Sequence, residues 1–386
     1  MDNSLSFRLS DVHKADRSGI FARDHMKRIK HILLLCLFCI LAVGCARTRT
    51  PARSGCGYAA YFDVCRVGED SLTAVVAISP HDGKSDTLVL TRPLENVICM
   101  SSSQVAGLAA IGADSVISAI SGVRYVSNPS VRLRAHDIGY DSSLDYERIL
   151  TLNPDIVLAY TVSGAEPQYI SRLRSLGVRV LILHDHLENH PLARAEYIRL
   201  YGALTGREET ADSLFREIAS RYDSLASASS EDSRRVKVLV NVPYGDAWYI
   251  PGSDSYMARL VMDAGGELLG AVPGAVSSTV SLERAYELSQ EADIWLNPGP
   301  FRTRKELEAS HHAFRMFGPL KEGKPIYNNT LRTTPEGGND FWESGSVRPD
   351  LILEDLIAIF SSASSTTSAD RQAGHADSLK YHFEVK

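Results

Sequence analysis

The sequence predicts an α/β protein: two similar lobes of alternating strands and helices, joined by one long helix and preceded by a small β-hairpin unit. Three observations predict it. The stretch 207–225 carries Leu214, Ile218, Tyr222 and Leu225 at helical spacing, with Phe215 beside them. Thr205-Gly206 and a Ser-rich run bound it. Short apolar runs separated by single helices lie on both sides, the grammar of parallel sheets covered by helices. One pattern also occurs on each side: Glu147-Arg148 early in a helix leads to Asp155 and an apolar strand, and Glu283-Arg284 leads to Asp293 and another. Periodicity alone suits an ordinary surface helix of one large domain equally well; the repeat decides for a linker.

The 386 residues accommodate two domains, and 44% apolar content supplies their cores. Net charge is -6 and no basic block is present, which argues against a nucleic-acid partner.

Residues 1–25 are polar and unpatterned, upstream of a second start methionine. Met26-Lys27-Arg28-Ile29-Lys30 is a positive segment, and 32–43 is an apolar run too short to span a bilayer comfortably. It closes in Leu41-Ala42-Val43-Gly44-Cys45, which resembles a bacterial lipobox. That resemblance implies cleavage before Cys45 and a lipid on its N-terminus. Residues 1–45 are then upstream segment and signal peptide, and 46–57 a flexible stalk. Cys36 and Cys39 fall inside the leader, so their spacing is not a redox motif. Cys56, Cys65 and Cys99 remain, and a Cys56–Cys65 disulfide is compatible with the sequence. A lipid tether suits a protein that delivers something to a membrane partner, because it raises effective concentration there.

Residues 58–92 form the hairpin unit, with alternating strands at 58–66, 71–78 and 86–90. The N-terminal lobe, 93–204, has strands at 96–100, 116–120, 155–160 and 178–183. Its helices are 104–111, capped by the serines at 101–103, then 144–152, 168–176 and 190–204. The linker helix occupies 205–232. The C-terminal lobe, 233–360, has strands at 236–241, 293–296 and 326–327, a turn at 248–252, and helices at 255–264, 281–291, 312–317 and 349–360. Residues 361–386 are a tail: the Ser/Thr/Ala run from Ser361 reads as a loose linker, and the tail ends in Tyr381-His382-Phe383.

Several segments carry a family likeness in their order and spacing. They are 97–103, Ala109-Ala110-Ile111-Gly112-Ala113, Glu147-Arg148-Ile149 through Leu152-Asn153-Pro154-Asp155-Ile156-Val157, Leu176-Gly177-Val178-Arg179-Val180 and Asp263-Ala264-Gly265-Gly266. Gly338-Asn339-Asp340-Phe341-Trp342-Glu343 looks like a subgroup feature. Across about 94–360 the chain resembles periplasmic substrate-binding proteins for iron complexes and cobalamin. The resemblance implies two Rossmann-like lobes on one rigid helix, the class III arrangement. It implies a lipid-anchored monomer in the periplasm, without enzymatic activity or an intrinsic cofactor. Its partners would be an ABC permease dimer and its ATPase. Glu147 and Glu283 match the family's positions for docking onto permease arginines. A first-turn carboxylate is also an ordinary response to the helix dipole.

Ligands of such proteins bind between the lobes, at loops beyond the strand ends. The candidate loops are 101–104, 121–129, 139–143, 160–164, 243–252, 274–280, 299–302 and 332–343. They carry Tyr125, Tyr140, Tyr160, Tyr244, Trp248, Phe341 and Trp342, with Arg124, Arg302 and Arg332. A large flat chelate suits aromatic walls, and its acidic groups suit arginine. Tyr125, Tyr140, Arg124, Trp248, Arg332 and Trp342 are the ligand-binding candidates. In haem-binding relatives an axial tyrosine occupies the position of Tyr140. Haem, cobalamin and a ferric siderophore all stay open.

Two other functions compete. His184-Asp185-His186 with Glu188 and His190 suggests direct Zn or Mn binding, but His-x-His-x-x-x-His is no helix-face ligand pair. Polar residues at a lobe–linker junction are the preferred reading. A secreted α/β enzyme would need a recognisable site. There is no G-x-S-x-G, phosphate loop or G-x-G-x-x-G after a strand, and Ser255, His184 and Asp340 make no triad by spacing.

Overall fold

The structure, a computed structural model, describes residues 57–68, 72–229, 234–245, 247–364 and 379–386. The expected leader, Cys45, the expected stalk before Gly57 and Cys56 lie outside those residues. Cys65 and the buried Cys99 carry free thiols.

The N-terminal unit is an antiparallel meander of β1 (Phe62–Val67), β2 (Leu72–Ile78) and β3 (Ser85–Leu90). Lobe one follows as β4 (Val97–Cys99), α1 (Ser102–Ala110), β5 (Ile117–Ile120), α2 (Pro129–Arg134), β6 (His136–Asp137), α3 (Tyr146–Leu152), β7 (Ile156–Tyr160), α4 (Gln168–Ser175) and β8 (Val180–Leu183). Its five strands are all parallel, in the order β6-β5-β4-β7-β8. Val97, Ile98, Cys99 and the run 156–159 are buried without alternation, as strands covered on both faces must be. α1 begins with a capping box: Ser101 accepts the Ser103 N–H, and the Gln104 side chain accepts those of Met100 and Ser101.

Helix α5 (Pro191–Thr205) turns at Gly206, φ 68°, into the linker α6 (Glu208–Ser229). At 22 residues α6 is about 33 Å long. It buries Ala211, Phe215, Ile218 and Tyr222, one stripe at the expected spacing, while Leu214 and Leu225 are partly covered. Gly202 of α5 lets the two helices close, since a Cβ there would lie 2.4 Å from that of Ala211.

Lobe two comprises β9 (Val236–Val240), β10 (Pro243–Tyr244), β11 (Ala247–Ile250), α7 (Tyr256–Asp263), β12 (Gly266–Leu268), β13 (Ser278–Val280), α8 (Leu282–Glu291), β14 (Ile294–Leu296), α9 (Arg304–Ser310), α10 (Gly318–Lys321), β15 (Ile326–Asn328), α11 (Ser344–Val347), α12 (Pro349–Ser364) and β16 (Phe383–Glu384). Its main sheet runs β12-β9-β14-β15-β16, and β10, β11 and β13 form a separate antiparallel ribbon. The tail departs from expectation. β16 pairs antiparallel with β15, and Tyr381 and Val385 are buried. The Asp355 carboxylate accepts the N–H groups of Lys380, Tyr381 and His382. The tail thereby covers an edge strand that would otherwise expose its backbone. α12 also continues beyond Phe360, and the expected turn at 248–252 begins as strand β11.

Each half of α6 is fastened to a different lobe. Arg199 of α5 pairs with Asp212 of α6 and, at 2.7 Å, with Glu196. Arg221 of α6 pairs with Asp350 at 2.9 Å and Glu354 at 2.7 Å, both on α12. Tyr222 donates to Asp263 at 2.7 Å, and Arg259 grips the same carboxylate at 2.8 and 2.9 Å. Asp350 is fully buried between Arg221 and Arg348. Asp350→Ala removes a buried acceptor from Arg348 and Arg221, and Arg221 keeps Glu354. It is expected to cost ~1–3 kcal/mol of unfolding free energy, measured by denaturant titration; a loss below ~0.5 kcal/mol would contradict this reading of the junction.

Candidate functional site

In lobe one the strand order reverses between β4 and β7, and in lobe two between β9 and β14. Ligand crevices of doubly wound sheets open at such points, beyond the carboxyl ends of the strands. Lobe one has a cavity of about 510 Å³ there. Ser101 and Ser102 enter it after β4, Ser121 and Gly122 after β5, Tyr140 and Asp141 after β6, and Tyr160 ends β7.

Local backbone constraints aim Tyr140. Gly139 has φ 76°, and a Cβ there would lie 2.5 Å from the Ser143 carbonyl oxygen. Gly122, φ 71°, lies under the Tyr140 ring, 2.9 Å from its hydroxyl if given a Cβ. Neither position tolerates a side chain without moving the tyrosine. The short helical turn 123–125 then brings Arg124 and Tyr125 alongside. The Arg124 guanidinium carbon is 5.1 Å from the Tyr125 ring centroid and 5.9 Å from that of Tyr140. The two rings are 6.2 Å apart at 58°. Arg124 hydrogen-bonds both phenols, which raises its own pKa. Burial pushes the Tyr140 phenol up, and the Arg124 hydrogen bond opposes that shift. Tyr125 and Tyr140 remain 37% and 41% exposed, leaving their faces open to a ligand.

The other candidates fall elsewhere. Trp248 is a correction: it is fully buried in lobe two, stacked 5.9 Å from Trp295 and 5.6 Å from Phe317, and its indole donates to the Val240 carbonyl at 2.9 Å. Strand alternation along β11 is the reason, since Trp248 and Ile250 point inward while Tyr249 is exposed. Tyr244, on β10, is 84% exposed. Phe341, expected on a cleft loop, is 1% exposed against Tyr381 and His382. Its neighbour Trp342 stays exposed, 6.4 Å from the Tyr256 ring. Tyr256 in turn stacks under Arg194 of lobe one at 3.9 Å. Arg332 pairs with Asp340 and lies 4.8 Å from the Tyr381 ring. It lines a second cavity of about 650 Å³, this one between the lobes, with Ser127, Asn128, Arg132, Leu214 and Glu343, away from Tyr140.

Glu147 and Glu283 are both exposed in helical first turns, after the N-caps Asp145 and Ser281. α3 leads into β7 and α8 into β14, so in each lobe the first turn lies at the carboxyl edge of the sheet. Neither carboxylate is in an ion pair among the described residues. The Ser281 hydroxyl lowers the Glu283 pKa.

The histidines diverge. His184 packs 6.2 Å from His81, His186 lies 5.8 Å from Tyr160, and His190 sits against Tyr58 and Tyr222 while its Nδ1 accepts the Leu192 N–H. Glu188 accepts the N–H groups of Ala60 and Tyr61. Among the described residues, no group of three or more His, Cys, Asp or Glu is placed to hold a metal ion.

Sequence reasoning placed Ser121, Ser142 and Glu343 on candidate loops without singling out any of them; the two serines border the cavity, and Glu343 is the interlobe carboxylate. Ser121 had no pattern to distinguish it; its hydroxyl is held by the Gly139 carbonyl at 2.7 Å, a contact between two strand ends.

Two α/β lobes fastened to one helix, with a ligand-sized cavity at a strand-order reversal, define a clamshell binding protein of class III architecture. A family model described as periplasmic binding protein matches residues 97–308, more than half of the chain. The chain belongs to that family. It is 24% identical over 286 residues to an uncharacterized lipoprotein of Methanocaldococcus jannaschii, covering 70% of this chain and 66% of that protein. An uncharacterized ABC transporter substrate-binding lipoprotein of Bacillus subtilis is 23% identical over 242 residues, 61% of this chain and 72% of that protein. Among solved structures, the haem-binding protein RhuT of Roseiflexus sp. RS-1 aligns with TM-score 0.55 and 17% identity, covering 70% of this chain and 100% of that chain. The vitamin B12-binding protein BtuF of Vibrio cholerae gives 0.54 and 15%, covering 71% and 99%. An ABC-type Fe3+-hydroxamate transport protein of Saccharomonospora viridis gives 0.53 and 20%, covering 71% and 96%. Identities this low establish the fold and leave the ligand open.

His184 is 4% exposed, and its Nδ1 has no hydrogen-bond partner among the described residues. Burial lowers its pKa to about 4, below the ordinary 6.5. The unfolded chain therefore takes up the proton first. The stabilising contribution is fully present above pH 6.5 and is lost as pH falls toward 4. Denaturant titrations between pH 7 and 4 are expected to show a shallower acid loss in His184→Phe than in the parent; equal slopes would mean the ring ionises freely in place.

Proposed function

We propose that the chain is the substrate-binding lipoprotein of an ABC importer. It captures a metal chelate (ferric siderophore, haem or cobalamin) between the lobes and hands it to a permease dimer served by an ATPase. The observation that supports this best is that Tyr125 and Tyr140 line one cavity, with the Arg124 guanidinium carbon 5.1 and 5.9 Å from their ring centroids. Two open aromatic faces suit a broad chelate, and a guanidinium between them suits its carboxylates. Trp342, exposed on lobe two, is the aromatic assigned to the ligand's other side. Haem, vitamin B12 and a ferric hydroxamate are the cargoes named for three proteins of the same fold. With haem as cargo, the Tyr140 phenolate is the group that would ligate the ferric iron, its charge balanced by the metal and by Arg124.

Glu147 and Glu283 are the docking carboxylates. Two exposed anions, one per lobe and both at the carboxyl edges of the sheets, would set orientation and speed encounter with permease arginines. Cys45 carries the lipid, so the protein acts in the periplasm on a tether.

Titration of the purified protein with haemin, cyanocobalamin and a ferric hydroxamate tests the first half. Saturable binding of one chelate is expected, weakened by Arg124→Ala; with haemin, Tyr140→Ala should remove the Soret shift. Failure of all three to bind would overturn the proposal. For the docking half, Glu147→Ala with Glu283→Ala is expected to leave affinity intact and lower uptake about tenfold or more. An equal loss of ligand binding in that double variant would refute the docking role.

A further inference from the structure

The segment Gly338-Asn339-Asp340-Phe341-Trp342-Glu343 serves a purpose beyond offering Trp342 to a ligand. It doubles back on itself: the Thr334 N–H donates to the Gly338 carbonyl at 2.8 Å, the Asp340 N–H to the Arg332 carbonyl at 3.0 Å, and Thr333 bridges Asn339. Phe341, buried against Tyr381 and His382, fixes the loop to lobe two. Asp340 accepts the Ser344 hydroxyl at 2.8 Å and holds the exit from the loop.

The tip of this loop reaches lobe one at two points. A Cβ on Gly338 would lie 1.9 Å from the Tyr125 carbonyl oxygen, so backbone touches backbone there and no side chain fits. The Glu343 carboxylate accepts the Ser127 N–H at 2.6 Å and the Asn128 N–H at 2.9 Å. Glu343 is 2% exposed and forms no ion pair among the described residues. Burying a carboxylate on two amide donors alone is costly, and burial raises its pKa to about 7. Holding loop backbone is what buried acids such as Glu188 do elsewhere in this chain; what sets Glu343 apart is the segment that it holds. The gripped backbone, 125–128, directly follows Arg124 and includes Tyr125, whose ring lines the lobe-one cavity 5.1 Å from the Arg124 guanidinium carbon.

We propose that Glu343, with Gly338, is a positioning residue for the interlobe ligand site: from lobe two it clamps residues 125–128 and so sets where Arg124 and Tyr125 stand. The affinity part of this proposal rests on the ligand reading above; the clamp itself does not. Two measurements separate them. Hydrogen–deuterium exchange of the full protein without ligand reads the clamp. Glu343→Ala should speed exchange at the Ser127 and Asn128 amides about tenfold or more, with β9 and β14 unchanged. Glu343→Gln, which keeps one acceptor and the size, should fall between. Unchanged protection of those two amides in both variants overturns the clamp. Gly338→Ala provides a second route, since it forces the same segment away without altering Glu343.

Titration with whichever of haemin, cyanocobalamin or ferric hydroxamate binds reads the positioning. Glu343→Ala should weaken binding about tenfold in the parent and much less once Arg124 and Tyr125 are both alanine. Equal losses in the two backgrounds would refute positioning through those residues. Binding of none of the three would refute the ligand reading and the positioning role with it, while exchange still decides the clamp.

Discussion

Everything between the lobes depends on how α6 is fastened. Its first half is held to lobe one by Arg199–Asp212 and by the close approach of Gly202 to Ala211. Its second half is held to lobe two by Arg221 on Asp350 and Glu354, and by Tyr222 on Asp263. A helix bonded at both halves cannot act as a flexible strap; the lobes move relative to one another only as far as it bends. Such a linker keeps a binding cleft close to its working shape and lowers the ordering cost of capture.

The same device recurs elsewhere: a buried carboxylate holding backbone N–H groups of a segment distant in sequence. Glu196 accepts the N–H groups of Gly57, Tyr58 and Ala59, and Glu188 those of Ala60 and Tyr61. Five consecutive donors just before β1 are thus fixed beside α5. Asp355 does this for the returning tail, and Glu343 for the loop at 127–128. Loop backbone carries donors that no ladder satisfies, and a carboxylate can accept from several at once. Long-range order outside the sheets rests on these acids more than on surface ion pairs, which are worth little.

These acids also explain where sequence reading stopped. Linker, strands and lobes were legible because burial imposes a period: Phe215, Ile218 and Tyr222 on one face, apolar runs in the covered strands. Arg124, Tyr125 and Tyr140 were legible as polar-loop residues after strands, and their convergence follows from parallel topology. Trp248 misled because a four-residue strand, Ala247–Ile250, is too short to display its alternation convincingly. The tail misled because its pairing with β15 is non-local, separated from its partner by more than fifty residues of chain.

By itself, the sequence determined the α/β class, the two-lobe plan with its rigid linker, and the exposed first-turn positions of Glu147 and Glu283. The class and the first-turn positions follow from local periodicity and capping, which act over a few residues; the two-lobe plan came from the repeat, and the rigid linker from the family resemblance. Tertiary structure alone decided which aromatics face the cavity, that the final strand completes lobe two, and that Glu343 reaches across to the backbone beside Tyr125. Those outcomes depend on contacts between segments remote in the chain, where no periodic constraint on neighbouring residues records the partner.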